Sequence, residues 1–399
     1  MKIILPAMAG EHIEDWDLLS DKKYAVDITV ELSAVKFSAE LKPAESRLYI
    51  IRKDAQGEMF PKRVNQKQLS FYKSLGPVFN IKRDLPNSLT LDKCAWRFAD
   101  VGRGLAPAVL SGGHSDWSEE MQVWQAQREV RAKLGMYQVH KNGIKQRYLW
   151  ALDEHENDGA RVEFKFEFYA DCLPAENILL AIEQSALFDV YINDVPAERI
   201  DGYFIDKCIG LVKLSGAQPG LNELVIACNY KNRFEVEDCY IIGDFGVTAD
   251  RRITETPTKL RLGDWCLQGL PHYAGAVTYE TTMEIVGDGA TPNGKRYFAQ
   301  IGKFNATTIS LRVNGKHAGH IPWASAGLVE ITEFVQGGAN TFEIEVSGSP
   351  RNLFGPFHMQ TGDPGTTNPA SFRADGEGYN PEYNLKPYGL DGLVKIMVL

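Results

Sequence analysis

One phrase of strand, turn and strand is written twice in this chain, about 120 residues apart, and the repetition restricts the fold more than any single motif does. In the first copy Phe188-Asp189-Val190-Tyr191-Ile192 runs into Asn193-Asp194; in the second Ile309-Ser310-Leu311-Arg312-Val313 runs into Asn314-Gly315. Apolar residues at every second position describe a half-buried strand. Asn-Gly or Asn-Asp then describes a tight hairpin turn, because Asn and Gly tolerate positive φ. Downstream, each copy has a Gly-containing corner ahead of an Asn, Pro219-Gly220-Leu221-Asn222 and Gly337-Gly338-Ala339-Asn340, followed by a second alternating strand. The two asparagines stand 29 residues apart in one copy and 26 in the other, so one β-module is used twice. Asn193 and Asn314 read as turn residues chosen for backbone geometry, not as ligand contacts.

Each copy leads to a closing strand, Cys239-Tyr240-Ile241-Ile242 and Leu393-Val394-Lys395-Ile396. This order of strand, Val-Asn-Gly-like turn, loop and Gly-x-Asn corner resembles the galactose-binding-domain-like jelly roll, as in the sugar-binding domain of family 2 glycoside hydrolases. A second likeness covers nearly the whole chain. Glu14-Asp15-Trp16-Asp17, Tyr24 and the stretch from Leu41-Lys42-Pro43 to Leu48-Tyr49 are similar to the small β-sandwich that follows the catalytic barrel in large bacterial α-L-rhamnosidase-like glycoside hydrolases. Trp265, His272-Tyr273-Ala274-Gly275, the run from Ser349-Pro350 to Phe357-His358, and Tyr388-Gly389-Leu390 continue it. The resemblance implies an all-β chain of tandem β-sandwich or jelly-roll modules that begins after the barrel. Its expected parts are a partial β-sandwich over 1–59, a first galactose-binding-like jelly roll with a helical insertion over 60–250, and a second over 251–399.

Composition agrees with an ordinary globular protein of two or three domains: 399 residues, 44% hydrophobic and 24% charged. A net charge of −9 argues against nucleic acid or an anionic membrane as partner, since both call for basic patches. No apolar run approaches the ~18 residues a spanning helix needs. Met1-Lys2-Ile3-Ile4-Leu5-Pro6 is too short an apolar run for a signal peptide and reads as a strand. The chain as given is expected in the cytoplasm, or exported within a longer precursor. Its cysteines, Cys94, Cys172, Cys208, Cys228, Cys239 and Cys266, lack zinc-site spacing and read as buried free thiols, with disulfides left open because spacing does not exclude them.

Within the first jelly roll, Asp116-Trp117-Ser118-Glu119 reads as a capping box. It would start a helix with Met121, Trp124, Val130 and Leu134 on one face and Gly135 as the stop. The run from Arg161 to Phe168 alternates charged and apolar residues as a strand with one wet face does, and the Pro-containing stretch 254–259 reads as a linker. The Gly/Pro/Asn-rich segment 361–389 is long for a compact domain and reads as a covering loop anchored by Phe372, Tyr379, Tyr383 and Tyr388.

Chemistry is harder to find. Glycoside hydrolysis needs two carboxylates across a bond, and in the resembling enzymes they lie on a barrel of roughly 250 residues in alternating strands and helices. That alternation is missing here, and so are Gly-x-Ser-x-Gly, a Walker loop and His-Glu-x-x-His. No catalytic residue is therefore assigned. His317 and His320, three apart just after a turn, read as part of a surface loop and not as a metal site. The loops Asp363-Pro364-Gly365 and Asp375-Gly376-Glu377-Gly378 offer oxygen ligands without matching an EF-hand, leaving a structural calcium as the one cofactor open. A pyranose wants an aromatic platform with polar partners. Trp265, His272, Tyr273, Trp323, Arg351, Asn352 and His358 form the best group of that kind, against a plain reading in which they plug the sandwich and tie down its loop. The expected function is a non-catalytic carbohydrate-binding or scaffold region of a glycoside hydrolase, with an oligosaccharide or polysaccharide, or a catalytic barrel domain, as partner. The alternatives are a glycosidase active on sandwich loops and a protein-interaction module.

Overall fold

The computed structural model describes residues 2–6, 12–31, 34–41, 43, 45–52, 60–99, 116–136, 157–175, 178–231, 233–287, 294–323, 327–359, 367, 369–372 and 378–399. Over these residues the protein is all-β, built of largely antiparallel sheets with two α-helices. Among them, no helix is long and apolar enough to cross a membrane.

The N-terminal unit holds six short strands in two three-stranded sheets. Lys2–Pro6, Ala34–Ser38 and Thr29–Glu31 form one; Lys22–Ala25, His12–Asp17 and Leu48–Arg52 form the other. Its core is only Ile13, Val35 and Phe37, with Tyr49 edge-on to Phe37 at 4.9 Å. So small a core is reinforced by charge. Buried Asp15 accepts from Arg47 Nη1 at 2.8 Å and from Arg63 Nε at 2.5 Å, so the unit reaches past residue 59 to Arg63.

The first full sandwich stacks two sheets. Edge to edge, the larger runs Met121–Gln122, Lys93–Phe98, Ala160–Ala170, Gly220–Tyr230, Asp189–Ile192 and Val195–Pro196. The smaller runs Glu198–Phe204, Asp206–Lys213, Leu179–Glu183, Cys239–Gly243 and Asn87–Leu91. In Ala160–Ala170, Val162, Phe164, Phe166 and Phe168 are buried and alternate with Arg161, Glu163, Lys165 and Glu167, so the period of two decides which face is core. The strand order is repeated in the second sandwich. Its larger sheet runs Lys259–Arg261, Val78–Arg83, Ala276–Ile285, Gly338–Ser347, Thr308–Val313 and Lys316–Ile321; its smaller runs Leu328–Glu330, Tyr297–Gln300, Val394–Val398 and Ser70–Leu75. Both repeated turns take the left-handed backbone their sequences predict, with φ of 50° at Asn193, 63° at Asp194, 52° at Asn314 and 75° at Gly315.

The tandem order is not what the sequence suggests. Ser70–Leu75 pairs with Val394–Val398, and Val78–Arg83 pairs with Lys259–Arg261 and Ala276–Ile285. The chain lays down two strands of the second sandwich, leaves it after Arg83, builds the whole first sandwich, and returns at Lys259. There Ile81 N–H donates to Thr258 O at 3.1 Å. The first sandwich is an insertion in the second. Residues 70–83 therefore fall outside a 60–250 module, and the first sandwich continues past 250 to Arg252–Thr254, which pairs in parallel with Tyr169 and Ala170. Alternation tells which face of a strand is buried but not which sheet it joins.

The inserted helix is also shorter than expected, Val123–Lys133, and the capping box does not form. Ser118 instead answers Trp96: its N–H donates to Trp96 O and its Oγ accepts from Trp96 N–H, both at 3.0 Å. Met121–Gln122 then adds to the sheet edge beside Lys93 and Cys94. The buried face is Val123, Ala126, Gln127, Val130 and Arg131, so Trp124 lies off it; Gly135 does follow the helix with φ of 70°. All six cysteines are free; four are buried, Cys172 is half-buried and Cys208 is exposed.

Candidate functional site

Strand Asn87–Leu91, buried along its whole length, is the seam between the sandwiches. Asn87 Nδ2 donates to Phe245 O and Gly269 O at 2.9 Å, Ser88 Oγ to His272 O at 2.6 Å, and Thr90 Oγ1 to Leu353 O at 3.0 Å. Beside it, the outer face of the smaller sheet, with Ala181, Phe204, Tyr240 and Ile242, is covered by Leu353; Phe354 meets Tyr240 edge-on at 5.7 Å. Burying a side chain such as Leu353 contributes about 1.5–3 kcal/mol, so this is a committed interface. Polar sites lie at its two ends.

At the C-terminal end of the strand, Asp92 gathers partners from distant parts of the chain. Its Oδ2 lies 2.9 Å from His358 Nε2, and its Oδ1 accepts from the Tyr383 hydroxyl at 2.5 Å and from Arg251 Nη2 at 3.4 Å. Arg251 also donates to Thr90 O and stacks over the Tyr383 ring at 4.1 Å. Burial would raise the Asp92 pKa. The His358 hydrogen bond, the Arg251 charge and the Tyr383 hydroxyl outweigh it and hold the carboxyl below the usual carboxylate range. Half-buried Asp238 contrasts with it. Burial, then the charges of Asp92 and Glu237, push its carboxyl well up, and among the described residues it makes no hydrogen bond.

Six of the seven sequence candidates lie in this region, and the best placed of them face inward. Trp265 and Tyr273 are fully buried; Trp265 stacks on Tyr388 at 5.5 Å and meets Tyr273 edge-on at 6.0 Å, so neither offers a platform to a sugar. The Tyr273 hydroxyl lies 2.7 Å from Asp84 Oδ1 and accepts the N–H groups of Asp84 and Leu85, fixing the outgoing connection between sandwiches. His272 is buried, its Nδ1 2.8 Å from Asn352 O, and burial with the Arg251 charge drives its pKa down to about 3. Asn352 donates to Lys386 O and accepts from Lys386 N–H, both at 2.8 Å, tying down the C-terminal loop. His358 does the same for Asn380, with Nδ1 2.9 Å from its carbonyl. Arg351 opens the short helix Arg351–Phe354 at a half-buried position. Trp323 is half-buried as well, and among the described residues no ring contact or hydrogen bond joins it to the other six.

Sequence reasoning missed Asp92 and Arg251 because their partners are remote: Asp92 lies 266 residues from His358 and 291 from Tyr383. Asp238 was missed because its burial, not a motif, sets it apart. The signal at hand was Tyr383, one of the four aromatic anchors of the Gly/Pro/Asn-rich loop.

The other end of the seam is open. A cleft of about 620 Å³ lies where the chain crosses between the sandwiches, bounded by the outgoing connection (Leu85, Pro86), the returning one (Thr256 to Thr258) and the outer sheet face at Leu179 and Ile242. Arg83 crosses its polar side, donating to Asp244 and, at 2.8 Å, to Thr256 Oγ1. Among the described residues, no aromatic one lines it.

Among the described residues, no group of three or more His, Cys, Asp or Glu is placed to hold a metal. His317 and His320 sit on strand Lys316–Ile321, exposed, with rings 4.5 Å apart, rather than on a loop. Of the loops considered for calcium, 363–365 and 375–377 lie outside the described residues.

No protein-family model matches the chain, and no curated protein sequence does. Among solved structures it is similar to the rhamnosidase from Novosphingobium sp. PP1Y, at 16% identity and a TM-score of 0.27 over 61% of this chain and 23% of that one. The α-L-rhamnosidase of Streptomyces avermitilis, solved with L-rhamnose, matches at 11% identity and 0.29 over 84% of this chain and 33% of that one. A β-glucuronidase from Ruminococcus gnavus matches at 12% and 0.24 over 68% and 42%. The chain thus spans less than half the length of each, and likeness at these scores is too slight to carry a function.

Proposed function

We propose that the chain is a non-catalytic carbohydrate-binding region of a glycoside hydrolase acting on plant or microbial polysaccharide, built of galactose-binding-like sandwiches. The observation behind this reading is the state of Asp92, the most heavily engaged carboxylate of the seam. Both its oxygens are engaged, by His358, Tyr383 and Arg251, and only 4% of its surface is exposed, so it has no access to a glycosidic bond. The polar groups that would make an active site instead bond one sandwich to the other, which suits recognition more than turnover. The test is a glycan array probed with the intact chain, with reducing-end release from the same glycans measured in parallel. Binding without release is expected. Release that disappears in Asp238→Asn would replace this reading with a glycosidase acting on sandwich loops.

A scaffold role without glycan affinity has its own supporting observation. The N-terminal unit exposes Leu18 at 72%, Val30 at 66% and Ile4 at 58%, apolar side chains at separate points that a neighbouring domain such as a catalytic barrel would cover. A chain that binds no glycan yet co-purifies stoichiometrically with a separately expressed barrel would favour it.

A further inference from the structure

We infer that the cleft between the sandwiches is the glycan site and that it takes a neutral oligosaccharide; this rests on the carbohydrate-binding reading above and gives it a place and a substrate class. The cleft falls within the roughly 300–1,000 Å³ of sites that enclose ligands of this size, and domain junctions are where such sites concentrate. Its origin lies in the insertion. Leu353 and Phe354 cover the apolar sheet face over Tyr240 and Ile242, but toward Leu179 the cover stops and the two connections bridge the gap. Aliphatic wall is left beside a hydrogen-bonding rim, and a pyranose has the same division, with apolar C–H faces and a girdle of hydroxyls.

Neutrality follows from the charges. Arg83 is matched by Asp244 and hydrogen-bonded to Thr256, and Lys82 at the mouth is matched by Glu280. A uronate would find no uncompensated cation, and would have to break one of these pairs to gain one. Hydroxyls can instead donate to the Asp244 carboxylate, 64% exposed at its side chain, and to Thr256 Oγ1, whose own proton goes to Asp244, and exchange bonds with Thr258, all without disturbing the pairing. The aromatic residues named from sequence play no part: Trp265 and Tyr273 are sealed within the second sandwich, and Trp323 does not line the cleft.

The experiment uses the full chain and two cleft variants, Leu179→Trp to fill the wall and Asp244→Ala to remove the rim acceptor, on an array of neutral and uronate-containing plant and microbial oligosaccharides. Hits are followed by calorimetric titration. Thermal melts confirm that each variant folds, and Asp244→Ala, a surface truncation, keeps the test available if the larger substitution does not. The expected result is binding of a neutral glycan that weakens at least tenfold in each folded variant. Undiminished affinity in either folded variant overturns the cleft as the site while leaving the carbohydrate-binding reading intact. Binding confined to uronate-containing glycans overturns the substrate class. An unmodified chain that binds no glycan overturns that reading and this inference with it.

Discussion

Asn314 and Asn340 are joined amide to amide, with Asn314 Nδ2 donating to Asn340 Oδ1 at 2.8 Å, and the same bond recurs at 2.9 Å between Asn193 and Asn222. In each copy the turn Asn also accepts from the backbone N–H after its partner, Thr341 or Glu223. The partner in turn bonds the backbone of its own corner: Asn340 takes Gln336 N–H and gives to Gln336 O, as Asn222 does with Gln218. The repeated Asn-to-Asn spacing is therefore a hydrogen-bonded lock between a hairpin and the next strand. Asn340 and Asn222 are buried at 1% and 0%. Asn340→Ala or Asn222→Ala leaves several buried groups without partners, at about 1–3 kcal/mol each. Urea unfolding should show losses of several kcal/mol and similar size in both variants. A loss below 1 kcal/mol in either would mean that the turn is held by its backbone alone.

Asp92 makes a sharper prediction, because a seam carboxylate and a catalytic one differ in what their removal does. Asp92→Ala strands Arg251 and His358 beside one another, and breaking a buried ion pair costs about 3–5 kcal/mol. The expected outcome is a large drop in denaturation midpoint, with earlier cleavage by protease at the connections 84–86 and 255–258. Asp92→Asn, which keeps the shape and accepts at one oxygen, should lose less. Unchanged stability in Asp92→Ala would remove the seam role.

The insertion topology can be tested by excision. Lys259 pairs with Asn80 and Thr258 O accepts from Ile81, so the ends of the inserted sandwich leave and return on neighbouring antiparallel strands. Replacing 84–257 by a short Asn-Gly turn should close an ordinary hairpin and leave the second sandwich folded. A cooperative melt with a β-type circular dichroism spectrum is expected, at a lower midpoint because Leu353 and Phe354 lose their cover. A chain unfolded at low temperature would mean that the second sandwich cannot stand without the first.

What the sequence made legible divides along the same line. The strands, the two turns and the all-β class were readable because alternation and Asn-Gly chemistry are local. The insertion was not, since Ser70–Leu75 and Val78–Arg83 look like any half-buried strands and their partners lie up to 328 residues away, as Val398 does from Ser70. The helix start was misread because Ser118 found Trp96, a sheet-edge partner, in place of its own helix N-terminus. Trp265 and Tyr273 pack the sandwich and Asn352 and His358 fasten its loop, which is the plainer of the two readings the sequence allowed. Whether an aromatic residue presents its face to solvent depends on what stacks on it, here Tyr388 on Trp265.

The last prediction concerns pH, where His272 and Asp238 pull in opposite directions. His272 is 1% exposed and titrates near 3 in the folded protein against an ordinary value of 6.5, so between these the unfolded chain binds the extra proton. Its contribution is intact above pH 6.5 and is lost as the pH falls toward 3, at up to ~1.4 kcal/mol per pH unit. Asp238 has the opposite sign. Its folded pKa is raised, so the folded state holds the extra proton, and stability falls as pH rises from the ordinary 3.8 through the folded value. Asp238→Asn, which mimics the protonated group, should therefore raise the melting temperature at pH 8 and have little effect near pH 4. His272→Gln, neutral at every pH, should flatten the acid limb below pH 6 even if it lowers stability overall through the lost bond to Asn352. Melting curves from pH 4 to 9 on the unmodified chain and both variants decide the matter. An acid limb unchanged in His272→Gln would mean that the seam's acid sensitivity lies elsewhere, and a melting temperature unchanged at pH 8 in Asp238→Asn would mean that its charge costs the fold nothing.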